Sequence, residues 1–206
     1  MCIRDSWDSF LNLDFDLDKR NQKYQASEGF RSQYFLDLPL VSETATLQNT
    51  YVFKYFTELF ENNISSASIF LRSSTSLKDE NIKLSERINI PSNRLRGFES
   101  GKVGPKDGND FIGGNYAATI NFTSSIPQIL ENSENIDFLV FFDAGNVWGV
   151  DYFDGDDEGS EIRSATGVAV DWLTPVGPLN FTLALPVTKA DNDKTETFRF
   201  NIGTSF

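Results

Sequence analysis

The chain has 206 residues, 39% hydrophobic and 14% aromatic, which is too rich in packing groups for a disordered segment. Mean hydropathy is -0.32 and the longest unbroken apolar run is Phe138 to Phe142, which excludes a transmembrane helix because one needs about 20 such residues. A net charge of -12 excludes nucleic acid and other polyanions as partners, and the lack of histidine together with a single cysteine, Cys2, excludes His-based catalysis, Cys/His metal centres and intrachain disulfides.

Met1-Cys2-Ile3-Arg4-Asp5-Ser6 reads as the translation of a sequencing-library transposon end. It lacks the apolar run of about 7 to 15 residues that a signal peptide needs, so residues 1–6 are set aside as non-native and the true N-terminal region is expected to lie upstream. From Leu11 the sequence alternates apolar and polar residues, Leu-Asn-Leu-Asp-Phe-Asp-Leu-Asp, which puts Leu11, Leu13, Phe15 and Leu17 on one face of a strand. The pattern returns at Tyr34-Leu36-Leu38, at Leu47 through Tyr51, Phe53 and Tyr55, and at Ala67-Ile69-Leu71. Further strands follow at Ala118-Ile120-Phe122, Phe138-Val140-Phe142, Val168-Val170-Trp172, Leu179 to Leu185 and Phe198-Phe200-Ile202, which makes nine.

Period two alone does not say which face is wet, since a soluble sandwich alternates as a membrane barrel does. The opposite faces carry Asn12, Asp14, Asp16 and Asp18, or Arg163 and Asp171, or Asn180 and Thr182, separated by small residues. A polar lumen accepts these, and so does the outer wall of a soluble barrel. The connections favour the membrane. In the second half they alternate between long, at Leu77 to Asn115 and Asp151 to Glu161, and tight, at Thr174 to Pro178, although Ser124 to Asn135 is intermediate. The chain closes on Phe198-Arg199-Phe200-Asn201-Ile202-Gly203-Thr204-Ser205-Phe206, a membrane-facing strand with a terminal aromatic anchor, whereas a soluble edge strand would expose it to aggregation.

Four motifs in order carry a family resemblance. Asn93-Arg94-Leu95-Arg96-Gly97-Phe98-Glu99-Ser100, with Val103-Gly104-Pro105 and Gly113-Gly114-Asn115 behind it, resembles the sixth-loop motif of the BamA superfamily of outer-membrane barrels. Phe142-Asp143-Ala144-Gly145-Asn146-Val147-Trp148, Trp172 to Leu179 and the terminal strand follow in the family's register. The resemblance implies an all-β, antiparallel transmembrane barrel of outer-membrane type, of which residues 7–206 would be the C-terminal part. About nine strands would form a curved open sheet, and residues 77–115 a long loop folded inward. The first barrel strands and the periplasmic POTRA repeats would lie upstream.

It also implies roles for residues. Arg96, with Gly97 and Phe98, matches the loop arginine, and Asp143 matches its partner on the wall. Period two turns Asp143 away from Phe142 and Val140, hence inward, and an unpaired arginine in a confined lumen costs several kcal/mol. Where many members carry a second acid on the preceding strand, this chain has Asn121. The terminal strand, with Phe198, Phe200, Ile202, Gly203 and Phe206, matches the lateral gate and the signal carried by client barrels. Gly203 is compatible with a kink that frees the strand end or with a simple bulge. The function implied is insertion of outer-membrane β-barrel clients, together with accessory lipoproteins and the lipid bilayer, with neither covalent chemistry nor a cofactor. No ATP site is expected, since Gly101-Lys102 lacks the phosphate-loop spacing. The rival functions are a TamA-like or two-partner-secretion translocator and a passive porin-type channel.

Overall fold

The computed structural model describes residues 9–23, 25–41, 45–78, 80–127, 135–151, 161–175 and 177–203. Expectations that concern Met1 to Ser6, Phe206 and most of the acidic connection before Glu161 fall outside these. The described residues form eleven strands: β1 (Ser9–Asp18), β2 (Gly29–Val41), β3 (Thr46–Thr57), β4 (Ser65–Ser76), β5 (Lys106–Asp107), β6 (Asp110–Phe111), β7 (Tyr116–Ile126), β8 (Ile136–Trp148), β9 (Arg163–Thr174), β10 (Gly177–Thr188) and β11 (Phe198–Ile202). Nine of them form one antiparallel sheet in the order β1-β2-β3-β4-β7-β8-β9-β10-β11. The small β5-β6 hairpin lies inside the long loop and carries no period-two signal, because each of its strands has two residues.

The sheet is open, with β1 and β11 at its edges. It is also strongly curved, since Gln25 in the β1–β2 turn donates from Nε2 to the Asp137 carboxylate of β8 at 3.1 Å. No described helix is long and apolar enough to cross a membrane, and the strands are what can cross. Their convex face is apolar and uncovered. Phe15 is 59% exposed, and Phe122, Val140, Phe142, Val168, Leu183 and Phe198 are exposed with it. The concave face holds Asp143 and Arg163 with no exposure at all, beside the buried Ser68, Thr119, Asn121 and Thr182. Greasy side chains outside and a polar interior are the arrangement of a lipid-facing barrel, the reverse of a water-soluble one.

The concave face is not uniformly polar, which alternation did not anticipate. Phe70, Ile88, Ile90, Leu95, Phe98, Val103, Ala117, Val147 and Ala165 form one buried apolar cluster. Five of these, Ile88 to Val103, come from the inward loop. A loop of this length inside a wet lumen needs a small core of its own, and the inward-facing Phe70, Ala117, Val147 and Ala165 of the wall complete it. Small inward residues on β9 and β10, namely Ala165, Gly167, Ala169 and Ala184, leave the space that the loop occupies.

The last ladder is short. β9 and β10 pair from Gly177↔Thr174 to Thr188↔Ser164, whereas β10 and β11 pair only from Leu179↔Ile202 to Leu183↔Phe198. Pro186 supplies the reason. The Ala184 N–H donates to the Thr197 carbonyl at 2.9 Å, so the next nitrogen aimed at that side belongs to Pro186 and carries no hydrogen. Beyond this point the chain leaves the sheet.

Candidate functional site

Residues 93–99 run across the concave face with their side chains divided between two tasks. Leu95 and Phe98 insert into the apolar cluster, being 2% and 1% exposed. Arg96, between them, turns to the wall. Its Nε donates to Asp143 Oδ2 at 2.7 Å and its Nη2 to Asp143 Oδ1 at 2.7 Å, a bidentate pair, and its backbone N–H adds a third bond to Oδ2 at 3.0 Å. The Asp143 side chain is fully buried, so an unanswered carboxylate there would carry a large desolvation cost. Here it accepts four hydrogen bonds, because Asn121 Nδ2 also donates to Oδ1 at 2.8 Å.

Asn121 stands directly opposite Asp143 in the β7–β8 register. It also donates to the Arg94 carbonyl at 2.7 Å, while Thr119 Oγ1 donates to its carbonyl oxygen at 3.2 Å. An amide does what a second carboxylate could not, because it gives hydrogen bonds both to Asp143 and to the loop backbone. Two further contacts of Arg96 had no motif to announce them. Thr123 Oγ1 accepts from Nη2 at 3.2 Å, and the Phe141 ring lies under the guanidinium with its centroid 3.7 Å from the carbon. Phe141 sits two residues before Asp143 and shares its facing, so strand period alone would have nominated it.

Gly97 adopts φ +92°, a conformation that L side chains rarely take. A Cβ there would also meet the Ala165 and Ala184 methyls at 3.0 and 3.3 Å. The turn therefore lies directly on β9 and β10. Beyond it the loop backbone pairs with the chain that enters β11: Glu196 N–H donates to Gly97 O at 3.0 Å, Glu99 N–H to Lys194 O at 2.9 Å and Lys194 N–H to Lys102 O at 3.1 Å.

Two more ion pairs fix the outer rim. Arg163 Nε and Nη2 donate to the Asp193 carboxylate at 2.9 and 3.0 Å, with both side chains almost wholly buried. Arg87 pairs with Asp151, whose Oδ2 accepts the Ile82 N–H at 2.6 Å. Burial pushes the Asp151 carboxyl upward, but that N–H and the Arg87 guanidinium outweigh it and hold the group below its ordinary value. No cluster of metal-ligating side chains occurs among the described residues.

The expected gate residues Phe198, Phe200, Ile202 and Gly203 lie apart from this constellation. Phe198, Phe200 and Ile202 face outward, and the Phe200 and Phe181 rings meet at 4.8 Å on the convex side. Gly203 has φ +120° and donates to Pro178 O at 3.0 Å, with open space where a Cβ would sit.

Comparison with known proteins gives this geometry a family. The Omp85 superfamily domain matches residues 3–206. The chain belongs to the Omp85 superfamily. It is 30% identical to the outer membrane protein assembly factor BamA of Neisseria meningitidis serogroup B, over 54% of this chain and 17% of that protein. Identity to BamA of Neorickettsia risticii is 28%, over 55% and 16% respectively. The structure of BamA from Haemophilus ducreyi lacking POTRA domains 1-3 superposes with a TM-score of 0.82 at 26% identity, covering 92% of this chain and 41% of that one. The chain thus spans less than a fifth of the length of these curated relatives. As an Omp85 barrel similar to BamA, it is a protein of the bacterial outer membrane.

Proposed function

We propose that this Omp85 chain supplies the C-terminal barrel wall of an assembly factor that inserts and folds β-barrel clients in the outer membrane, with β11 as its lateral gate. The short terminal ladder carries this reading. β11 is held to β10 over only five residue pairs, so little pairing on that side must be broken to present its backbone to an incoming strand. The names of the BamA relatives support the same activity. Residues 77–115 serve as the loop that locks inside the wall through Arg96 and Asp143, with Gly97, Phe98 and Asn121 shaping the contact. Unfolded outer-membrane barrels are the clients, and accessory lipoproteins of the assembly complex are its partners. The work is non-covalent: β-augmentation beside a weak seam.

A passive channel requires a clear lumen, and the loop's apolar cluster argues against one. The deciding experiment reconstitutes the full-length protein in liposomes and follows the folding of a client barrel beside single-channel conductance. Accelerated folding with little steady current supports the assembly reading. A large steady pore without acceleration would replace it with the channel.

A further inference from the structure

The terminal strand carries one inward cation, and its partners are in the loop. Phe198, Phe200 and Ile202 face outward, so Arg199, in register with the buried Thr182 of β10, points into the concavity. Arg199 Nη1 donates to the Ser92 carbonyl at 2.7 Å and Nη2 to the Phe98 carbonyl at 2.8 Å. Its Nε donates to Glu196 Oε2 at 2.8 Å, and the Glu196 N–H is held in turn by Gly97 O. One guanidinium therefore spans the Arg-Gly-Phe turn, gripping a carbonyl before it and the carbonyl of its last residue. Charge-assisted bonds of this kind are among the stronger hydrogen bonds, and the Arg199 side chain is only 14% exposed.

The turn is thus held from both sides. Arg96 reaches out of it to β8, and Arg199 reaches into it from β11. Arg96, Gly97, Thr182, Ala184, Glu196 and Arg199 line a single crevice between the two grips. The chain entering β11 makes more backbone bonds to the loop than to the sheet, since residues 194–196 bond to Gly97, Glu99 and Lys102 while Thr197 alone receives Ala184. Pro186 has already ended the ladder on that side.

We propose that Arg199 is a positioning residue through which the inward loop holds the terminal strand, so that release of the loop from Asp143 and loosening of β11 are one coupled event. This rests on the proposed gate only in taking β11 as the strand that opens. The coupling itself is measured without any client.

The experiment is amide hydrogen exchange on the full-length protein in bilayers, comparing wild type with Arg199→Gln, Arg199→Lys, Arg96→Ala and the double variant Arg96→Ala/Arg199→Gln. Arg199→Gln should speed exchange across 194–202 and at Glu99 by about tenfold or more, the scale of one lost charge-assisted bond. β2 and β3 should be unaffected. Arg199→Lys should recover part of the protection. Arg96→Ala should raise exchange in 198–202 although the Arg96 side chain makes its hydrogen bonds and ion pair to β7 and β8 and none to β11, and the double variant should exchange there no faster than the faster single variant. Exchange in 198–202 that ignores Arg96→Ala, or that adds up in the double variant, overturns the coupling. Should Arg199→Gln fail to assemble, Glu196→Gln removes only the charge partner and is read by the same criteria. Coupled exchange with unchanged client folding would keep the latch and reject the gate, whereas slowed client folding with unchanged exchange would do the opposite.

Discussion

The Arg96 guanidinium carbon lies 3.7 Å from the centroid of the Phe141 ring, on the strand that also supplies Asp143. The same ring covers Gly167 of β9, its register partner, where an added Cβ would meet the ring at 2.8 Å. One aromatic side chain therefore supports the loop's charge and fills a strand position that has no side chain of its own. Phe141→Leu keeps the bulk and removes the π face. It should weaken loop docking by about 0.5–2 kcal/mol, seen as a lower midpoint of heat-modifiable migration of the full-length barrel. An unchanged midpoint would mean that the ring face contributes nothing to docking.

Arg96→Ala leaves Asp143 buried with one side-chain donor and one backbone N–H. Breaking a buried pair costs about 3–5 kcal/mol, and the 16% exposure of the Arg96 side chain puts the expected loss at the lower end. Loop protection from protease should fall, and client assembly with it. The reversal Arg96→Asp with Asp143→Arg should recover part of the loss, because the charges attract again while the Asn121 and backbone donors are then misplaced. If the reversed pair is as impaired as the worse single variant, the contact is not direct in the membrane.

The fold was legible because lipid and lumen impose opposite chemistry on alternate residues. Leu11 to Leu17 or Val168 to Trp172 announce a strand by period two alone, and the connections and the family resemblance then say which of its faces meets lipid. The inward face of Asp143 followed from the same parity. What period two could not convey was where the inward loop would put its weight. Nothing around Leu95 or Phe98 says that they meet Phe70 and Ala165, since those contacts depend on tertiary curvature. The same holds for Arg199, whose partners are backbone carbonyls and leave no side-chain signature. Pro186, in contrast, is legible in the sequence as a ladder breaker, since its nitrogen carries no hydrogen to donate.

Asn121→Asp tests whether the amide is a substitute for an acid or a device in its own right. An ionised carboxylate at 121 cannot donate to the Arg94 carbonyl, and it would face Asp143 across the ladder as a like charge. The variant should therefore be less stable than Asn121→Ser, which removes bonds without adding repulsion. Thermal midpoints of the two barrels in one detergent decide it, and equal or higher stability for the aspartate variant would show that Arg96 shares its charge between both acids.

Asp151 gives the outer rim a dependence on acidity. Its folded carboxyl is held below the ordinary value of 3.8, so its contribution is present above that value and is lost as pH falls through the lower folded one. Protection of the Ile82 amide, which donates to Asp151, should fall on acidification below about pH 4 in wild type. Asp151→Asn should have weaker protection at neutral pH and no such fall. A wild-type profile that stays flat to pH 2 would assign the anchoring of Ile82 to other groups.

Gly203 separates a strand end that must bend from one that merely bulges. At φ +120° a side chain is disfavoured by about 1 kcal/mol or more, yet a Cβ would meet nothing within 4 Å, so Gly203→Ala acts through the backbone alone. Alanine should draw the residue back to extended geometry and straighten the end of β11. If bending serves client entry, the full-length variant should reach the membrane with an unchanged thermal midpoint while client folding in liposomes slows several-fold. If both quantities are unchanged, neither the bend nor the barrel requires a glycine at 203. A lowered midpoint with normal client folding would mark it as a structural bulge whose loss the gate does not notice.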